Sequence, residues 1–420
     1  MDTPPPLLLG NVTLPWGRVA DITLENGRVA HVGAGRKGIP LLECTGLLVL
    51  PAAVDMHVHM RGGIQSAKED WKSGSMSALA GGVTVVVDQP NTIPPITTPE
   101  SLKDRVRDAQ ENSYCSFAIN SGVTSDAPLE SMWQAGAMAF GETFCAPSSY
   151  GDAVGETALR PALERIHALE ALATIHAETI EEGEDPDLVS HDRVRSPEGE
   201  LRAVTAIGRL NTTGCRLHFC HLSTRRSVDA APGSVEVTPH HLFLSLEDFD
   251  TTDPSGKVNP PLRTEKERKH LWRAWDRIDV IASDHAPHTR KEKTQPFPAA
   301  PSGICGVETM VPLLLALVID GKVSLRSVIE KTSVRPAEIL GLPPAGFRPG
   351  DRADFALYRK ITVPITSDIL HSKCGWTPFE GHRAVFPATV IRGGYVVYQE
   401  GEFVKEEPVW FPGRGFRRTR

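Results

Sequence analysis

The chain has 420 residues, 40% of them hydrophobic and 23% charged, with a formal net charge of −7. That balance excludes collagen-like, coiled-coil and largely disordered chains, and it offers no basic field to nucleic acid or anionic lipid. No apolar run approaches the ~20 residues needed to span a bilayer. The opening Met1-Asp-Thr-Pro-Pro-Pro carries no positive charge and Leu7–Leu9 is short, so no signal peptide is expected. The seven cysteines are odd in number and scattered, with no Cys-x-x-Cys pair. A disulfide framework is therefore not expected, and a reducing cytoplasm is the expected setting.

The chain opens with short β-rich runs, Val19–Leu24 and Val29–Val32, joined by Asn26-Gly27, the pairing that favours a two-residue hairpin. From Leu48 to about Leu342 the pattern changes to strand–helix alternation. The predicted strands are Leu47–His57, Val83–Val87, Tyr114–Ile119, Ala137–Thr143, Leu172–His176, Arg216–His221, Ser234–Thr238 and Asp279–Ser283. Helical patterns run between them, as at Ser101–Asn112, Leu159–Glu170, Leu201–Leu210, Glu265–Ile278 and Val307–Ile319. Eight short buried strands, each followed by a helix, predict an α/β (β/α)₈ barrel of the TIM type. A doubly wound sheet is the competing fold, and no Gly-x-Gly-x-x-Gly follows any strand to support it. After Pro349-Gly350 the sequence turns β-like again. The expected organisation is a small β-sandwich from residues 1–49 and 346–420 flanking a barrel of residues 50–345.

Metal-type residues recur at the C-terminal ends of these strands, where barrel enzymes keep their active sites. The first strand ends in Asp55-Met-His57-Val-His59-Met-Arg61, and residues two apart on an extended chain face the same side. The fifth ends in Thr174-Ile-His176-Ala-Glu178, the sixth in His218-Phe-Cys220-His221, the eighth in Ala282-Ser-Asp284-His285-Ala-Pro-His288. A lone His pair on a strand is usually surface decoration; repetition over four strands points to one or two divalent ions, zinc first. The expected ligands are His57, His59, His176, His221 and Asp284, the last also placed to take a proton. His218 is expected to pack behind the ligands, Cys220 to be a buried structural thiol, and His240-His241 either to support the ligands from behind or to be structural. Arg61, Asn91 and His288 together read as a carboxylate clamp, because a guanidinium meets a carboxylate in bidentate geometry. Alone, Arg61 would read as a surface ion pair. Asn259, in Lys257-Val-Asn-Pro-Pro-Leu-Arg263, offers an amide to a second polar edge of a ligand.

Taken together these motifs, with Asp88-Gln-Pro-Asn-Thr92 and Gly303-Ile-Cys-Gly-Val-Glu308, resemble the class I dihydroorotases of the metal-dependent amidohydrolase superfamily over nearly the whole chain. The resemblance implies a binuclear zinc site and reversible cyclisation of N-carbamoyl-L-aspartate to L-dihydroorotate plus water, in pyrimidine (UMP) synthesis. It implies His57, His59 and Asp284 on one zinc and His176 and His221 on the other. It also implies Arg61, Asn91 and His288 on the substrate carboxylate, with Asn259 and the Gly303–Gly306 stretch on the ring. Among partners it implies a small-molecule substrate, and a homodimer or association with aspartate transcarbamoylase. Two other readings stay open: a hydantoinase- or allantoinase-like cyclic amidohydrolase, or a catalytically inactive scaffold subunit.

One departure stands out. Many relatives bridge their metals with a carboxylated lysine on the fourth strand, and here Gly141 stands in its place. No lysine occurs between Lys103 and Lys257. The expected substitute bridge is Glu142, with Asp152 weaker.

Overall fold

The computed structural model describes residues 3–36, 38–145 and 154–417. Both ends of the chain build one nine-stranded sheet, which joins strands between Leu7 and Pro51 to strands between Phe355 and Phe403. Its hairpin at Asn26-Gly27 has both turn residues at positive φ, 53° and 72°, the conformation a two-residue turn of this type requires. Leu9, Val12, Ile22, Val49, Phe355 and Ile391 pack there in one buried cluster.

The predicted first strand is two strands. Leu48–Pro51 runs antiparallel to Phe355–Tyr358 in the terminal sheet. At Ala52 the chain changes partners: Ala52 N–H donates to Asp354 O, and Ala53 N–H to Gly82 O, each at 3.0 Å. The continuation, β1 (Ala53–Val58), opens a parallel set followed by β2 (Val83–Asp88) and β3 (Ser116–Ile119). A second parallel set holds β4 (Phe140–Phe144), β5 (Leu172–His176), β6 (Arg216–Phe219), β7 (Ser234–Val237) and β8 (Val280–Ile281), in that spatial order. Single parallel bridges link the edges of the two sets, Ser121 to Phe140 and Val58 to His285.

Between the strands run helices, among them Pro99–Asn112, Glu156–Ala168, Pro197–Leu210, Glu265–Trp272 and Met310–Ile319. The predicted Glu265–Ile278 helix stops early and ends in a separate 3₁₀ turn, Trp275–Arg277. Trp71–Ala80 is a helix that its Ser- and Gly-rich sequence does not advertise. A reciprocal cap between Asp70 and Ser73 starts it, and Gly74 lets it approach Met60, whose Sδ would lie 2.5 Å from any Cβ there.

Candidate metal centre

All six candidate ligands are buried and converge toward the C-terminal side of the parallel strands, His57, Glu142 and His176 from within strands and the others from just after them. Glu142, in β4, lies at the middle. Its Oε1 is 2.9 Å from His176 Nδ1 and 2.7 Å from His221 Nε2, and its Oε2 is 3.3 Å from His57 Nε2. Asp284 Oδ1 stands 3.1 Å from His59 Nε2 and 3.5 Å from His57 Nε2. Among the described residues three triads have all their ligand atoms within 4.8 Å of one another: His57–Glu142–His221 and His57–His59–Asp284, made wholly of candidate ligands, and His57–Cys220–Glu236 behind them.

The backbone explains why a glycine precedes Glu142. Gly141 has φ 130°, and a Cβ there would lie 2.0 Å from Thr174 O on β5. No side chain, lysine included, fits that position, and the carboxylate comes from the next residue. His221, Asp284 and Arg61 also sit at positive φ, 34°, 44° and 48°, a conformation that costs a non-glycine residue about 1–3 kcal/mol and clusters at functional sites.

The donor set fits divalent metal. Imidazole nitrogens and carboxylate oxygens suit zinc-like ions, and a metal-binding histidine engages its other ring nitrogen with a neighbour. His57 Nδ1 donates to Glu236 Oε1 at 3.0 Å, His59 Nδ1 to Asn91 Oδ1 at 2.7 Å, and His176 Nε2 to Glu178 Oε2 at 3.0 Å. These bonds turn His57 Nε2, His59 Nε2 and His176 Nδ1 toward the centre. His57 Nε2 and His221 Nδ1 are buried with no hydrogen-bond partner. Electrostatics point the same way. Burial opposes the charged form of His57, yet Glu142, Glu236 and Asp284 hold its pKa well above the usual value. Burial likewise opposes the Asp284 carboxylate, and His57, His59 and His221 hold it far below the ordinary range. Such a nest of buried carboxylates favours cations.

Glu236 and Glu178 are site residues that the strand-end pattern did not single out. Glu236 also accepts from His218 Nε2 at 3.1 Å and from His221 N–H at 3.0 Å. The available signal was a glutamate inside an apolar run, Val235-Glu236-Val237. Glu178 pairs with Arg195, which lines the cavity above the centre. His218 sits behind the ligands as expected. Cys220 is buried, and burial pushes its thiol up to about 12, so it stays protonated. His241 is held by Thr238 Oγ1 and Pro260 O, at 2.8 and 3.0 Å, whereas buried His240 has no partner on either nitrogen. Asp152 lies outside the described residues.

Above the centre opens a cavity of about 460 Å³, lined by His59, Arg61, Asn91, His176, His221, Asn259, Asp284, His288 and Gly303, among others. Arg61, Asn91 and His288 occupy it together. Lys68 Nζ lies 3.2 Å from His288 Nδ1. An ammonium only donates, so Nδ1 accepts and the ring proton sits on Nε2. That Nε2–H faces Arg61 Nη2 at 3.5 Å: two donors confront each other with no acceptor between them. Burial, then Arg61 and Lys68, hold the His288 pKa well below its usual value, so the ring donates as a neutral group. Asn91 gives its oxygen to His59, which leaves its NH₂ to donate. Asn259 lies across the cavity, its Oδ1 accepting from His191 Nε2 at 2.9 Å. Lys293 Nζ braces the neighbouring loop through the carbonyls of Lys257, Pro301 and Gly303, at 3.0–3.1 Å.

The sequence matches the Amidohydrolase family over residues 48–378. It is 39% identical to a dihydroorotase of Methanosarcina acetivorans over 95% of this chain and 91% of that protein. It is 38% identical to a dihydroorotase of Halobacterium salinarum over 98% of this chain and the whole of the other. Among solved structures the fold is similar to an L-hydantoinase (dihydropyrimidinase) from Arthrobacter aurescens, with TM-score 0.87 and 24% identity over 96% of this chain and 98% of that one. It is also similar to a dihydropyrimidinase from Brevibacillus agri, with TM-score 0.87 and 21% identity over 99% and 100% of the two chains.

Proposed function

We propose for this chain, which belongs to the amidohydrolase family and within it to the dihydroorotases, the metal-dependent interconversion of L-dihydroorotate with N-carbamoyl-L-aspartate. The observation that carries the choice of substrate is the pair of opposed donors, Arg61 Nη2 and His288 Nε2, 3.5 Å apart beside the metal ligands. A carboxylate placed between them satisfies both, and dihydroorotate carries one. Hydantoin and allantoin do not, so this pairing argues against the hydantoinase reading despite the shared fold. The presence of His57, His59, His176, His221 and Asp284 in one buried cluster argues against the inactive scaffold.

Two zinc ions are part of the proposal, His57, His59 and Asp284 holding one and His176 and His221 the other, with Glu142 as the shared carboxylate. Bound there, they would supply a water of lowered pKa and a Lewis acid for the attacked carbonyl. Arg61, Asn91 and His288 hold the substrate carboxylate, and Asn259 and the Gly303 loop hold the far edge of the ring. Asp284 takes the proton of the attacking water on its carboxylate and passes it to the departing ring nitrogen. The proposal further takes the eight parallel strands as a closed barrel over residues 50–345. Residues 1–49 and 346–420 form the accessory domain, drawn from both chain ends. A cytoplasmic setting, and assembly with a second copy or with aspartate transcarbamoylase, complete it.

The test is metal analysis of the purified chain with parallel assays on dihydroorotate, hydantoin and allantoin. Zinc content near two and turnover of dihydroorotate alone support the reading. Preference for hydantoin, or a metal-free inert chain, overturns it.

A further inference from the structure

Asn259 lines the cavity above the candidate metal centre. Among the described residues its side chain makes one hydrogen bond, Oδ1 accepting from His191 Nε2 at 2.9 Å. His191 is buried at 1% exposure and does not line the cavity itself.

The oxygen and the NH₂ of a carboxamide have nearly the same shape, so the partner of one end decides which end faces a ligand. Here that partner has no freedom. His191 Nε2 also lies 3.1 Å from the carbonyl oxygen of buried Val258. A carbonyl only accepts, so Nε2 carries a proton. That proton requires the oxygen of Asn259 and leaves the NH₂ to the cavity. On the other side of the ring, Nδ1 lies 2.8 Å from Asp185 Oδ2, a second acceptor. Both ring nitrogens donate, and turning over either the ring or the amide forfeits a bond. Burial opposes the charged form of Asp185, yet the bond from His191 holds its carboxyl below the usual value.

The frame around this pair is fixed independently. His191 belongs to the short helix Leu188–Val194, which a reciprocal cap between Asp187 and Ser190 starts. Its ring meets Phe297 edge-on, with centroids 5.9 Å apart. The loop carrying Asn259 is tied down at Lys257, whose Nζ donates to the carbonyls of Phe297 and Ala300 at 2.8 and 2.9 Å. The Lys257 carbonyl in turn accepts from Gly303 N–H at 3.0 Å. To a loop already anchored there, His191 adds the direction of the amide.

We propose that His191, held by Asp185, is a positioning residue that sets the hydrogen-bonding sense of Asn259. The site then offers an amide N–H to the far edge of the ring and selects a carbonyl oxygen there over a ring N–H. This rests on the reading of the cavity as a dihydroorotate site.

Steady-state kinetics of dihydroorotate hydrolysis test it, for the unmodified chain, His191→Phe, His191→Gln, Asn259→Ala and the double variant His191→Phe with Asn259→Ala. His191→Phe removes the donor and should raise KM about tenfold, with kcat and zinc content within about twofold of the parent. His191→Gln, whose amide nitrogen donates from nearly the same place, should recover most of that loss. The double variant should be no worse than Asn259→Ala alone, because His191 acts through Asn259. Should His191→Phe fail to fold, Asp185→Ala at its partly exposed position frees the ring and should raise KM several-fold, again only while Asn259 is present. Losses that multiply in the double variant, or a fall in kcat at unchanged KM, overturn the proposal while dihydroorotate remains a substrate. No turnover of dihydroorotate by the unmodified chain overturns the underlying reading and the proposal with it.

Discussion

Glu236 accepts a hydrogen bond from His57 Nδ1 at 3.0 Å and so fixes which nitrogen of that ring faces the candidate metal centre. The same carboxylate holds the backbone N–H of His221 at 3.0 Å. One buried side chain on β7 thereby positions two candidate ligands, one on β1 and one just after β6. Removing such a partner typically costs 10- to 100-fold in metal affinity. Glu236→Gln should therefore release metal to a competing chelator that much more readily, because an amide can present its NH₂ to His57 and favour the wrong tautomer. Unchanged metal retention would show that His57 needs no such support.

The opposed donors Arg61 and His288 lead to a second expectation. Arg61→Met should leave metal content near that of the unmodified protein, since Arg61 is not a ligand. It should cut kcat/KM for dihydroorotate by roughly thirty-fold or more, the ~2–5 kcal/mol typical of truncating one side of a buried charge pair. Loss of metal with near-normal kinetics after metal is restored would remove Arg61 from the substrate site.

Asp284 is expected to act at the reacting atoms as well as on the metal. Asp284→Asn abolishes the proton carrier and should lower turnover by at least 10²-fold, within the 10²–10⁴ range of general acid–base catalysis. Steady-state kinetics at saturating metal separate this from weakened ligation. Activity within a few-fold of the parent would place the proton elsewhere.

Away from the centre, His371 Nδ1 pairs with Glu308 Oε1 at 2.7 Å. The hydrogen bond to Glu308 outweighs burial and raises the His371 pKa above its unfolded value. The pair's stabilisation is therefore fully present below the ordinary histidine value of about 6.5 and is lost as pH rises through the raised one. Burial pushes Glu308 up, so protonation of the carboxyl closes the window on the acid side. His371→Gln should cost about 1 kcal/mol near pH 6 and progressively less toward alkaline pH. Denaturant unfolding at several pH values measures this, and a cost independent of pH would contradict it.

The convergence of these side chains was legible because each motif is local. Histidines two apart at one strand end face one side, and repetition on other strands made chance placement implausible. The place of Glu142 among these histidines was legible by elimination, since no lysine was available and it is the carboxylate next to Gly141. Glu236 was not, because its partner His57 lies 179 residues away; Glu178 stood in the fifth strand-end motif without a role, and only the structure shows that it accepts from the outer nitrogen of His176. The break at Ala52 was hidden for a related reason. Leu48–Pro51 and Ala53–Val58 are both apolar and buried, and hydrophobicity does not tell which sheet receives a strand. The helix at Trp71–Ala80 was masked by serines and a glycine that serve close packing and capping.

The most direct measurement is zinc stoichiometry and dihydroorotate turnover after the metal is stripped and zinc returned in bicarbonate-free buffer, for the unmodified protein and for Glu142→Ala. A bridge made by Glu142 needs no carbamate, so the unmodified protein should recover two zinc ions and full activity. Glu142→Ala should hold fewer than two and turn over poorly. A requirement for bicarbonate, or two zinc ions bound as tightly by Glu142→Ala as by its parent, would contradict the account.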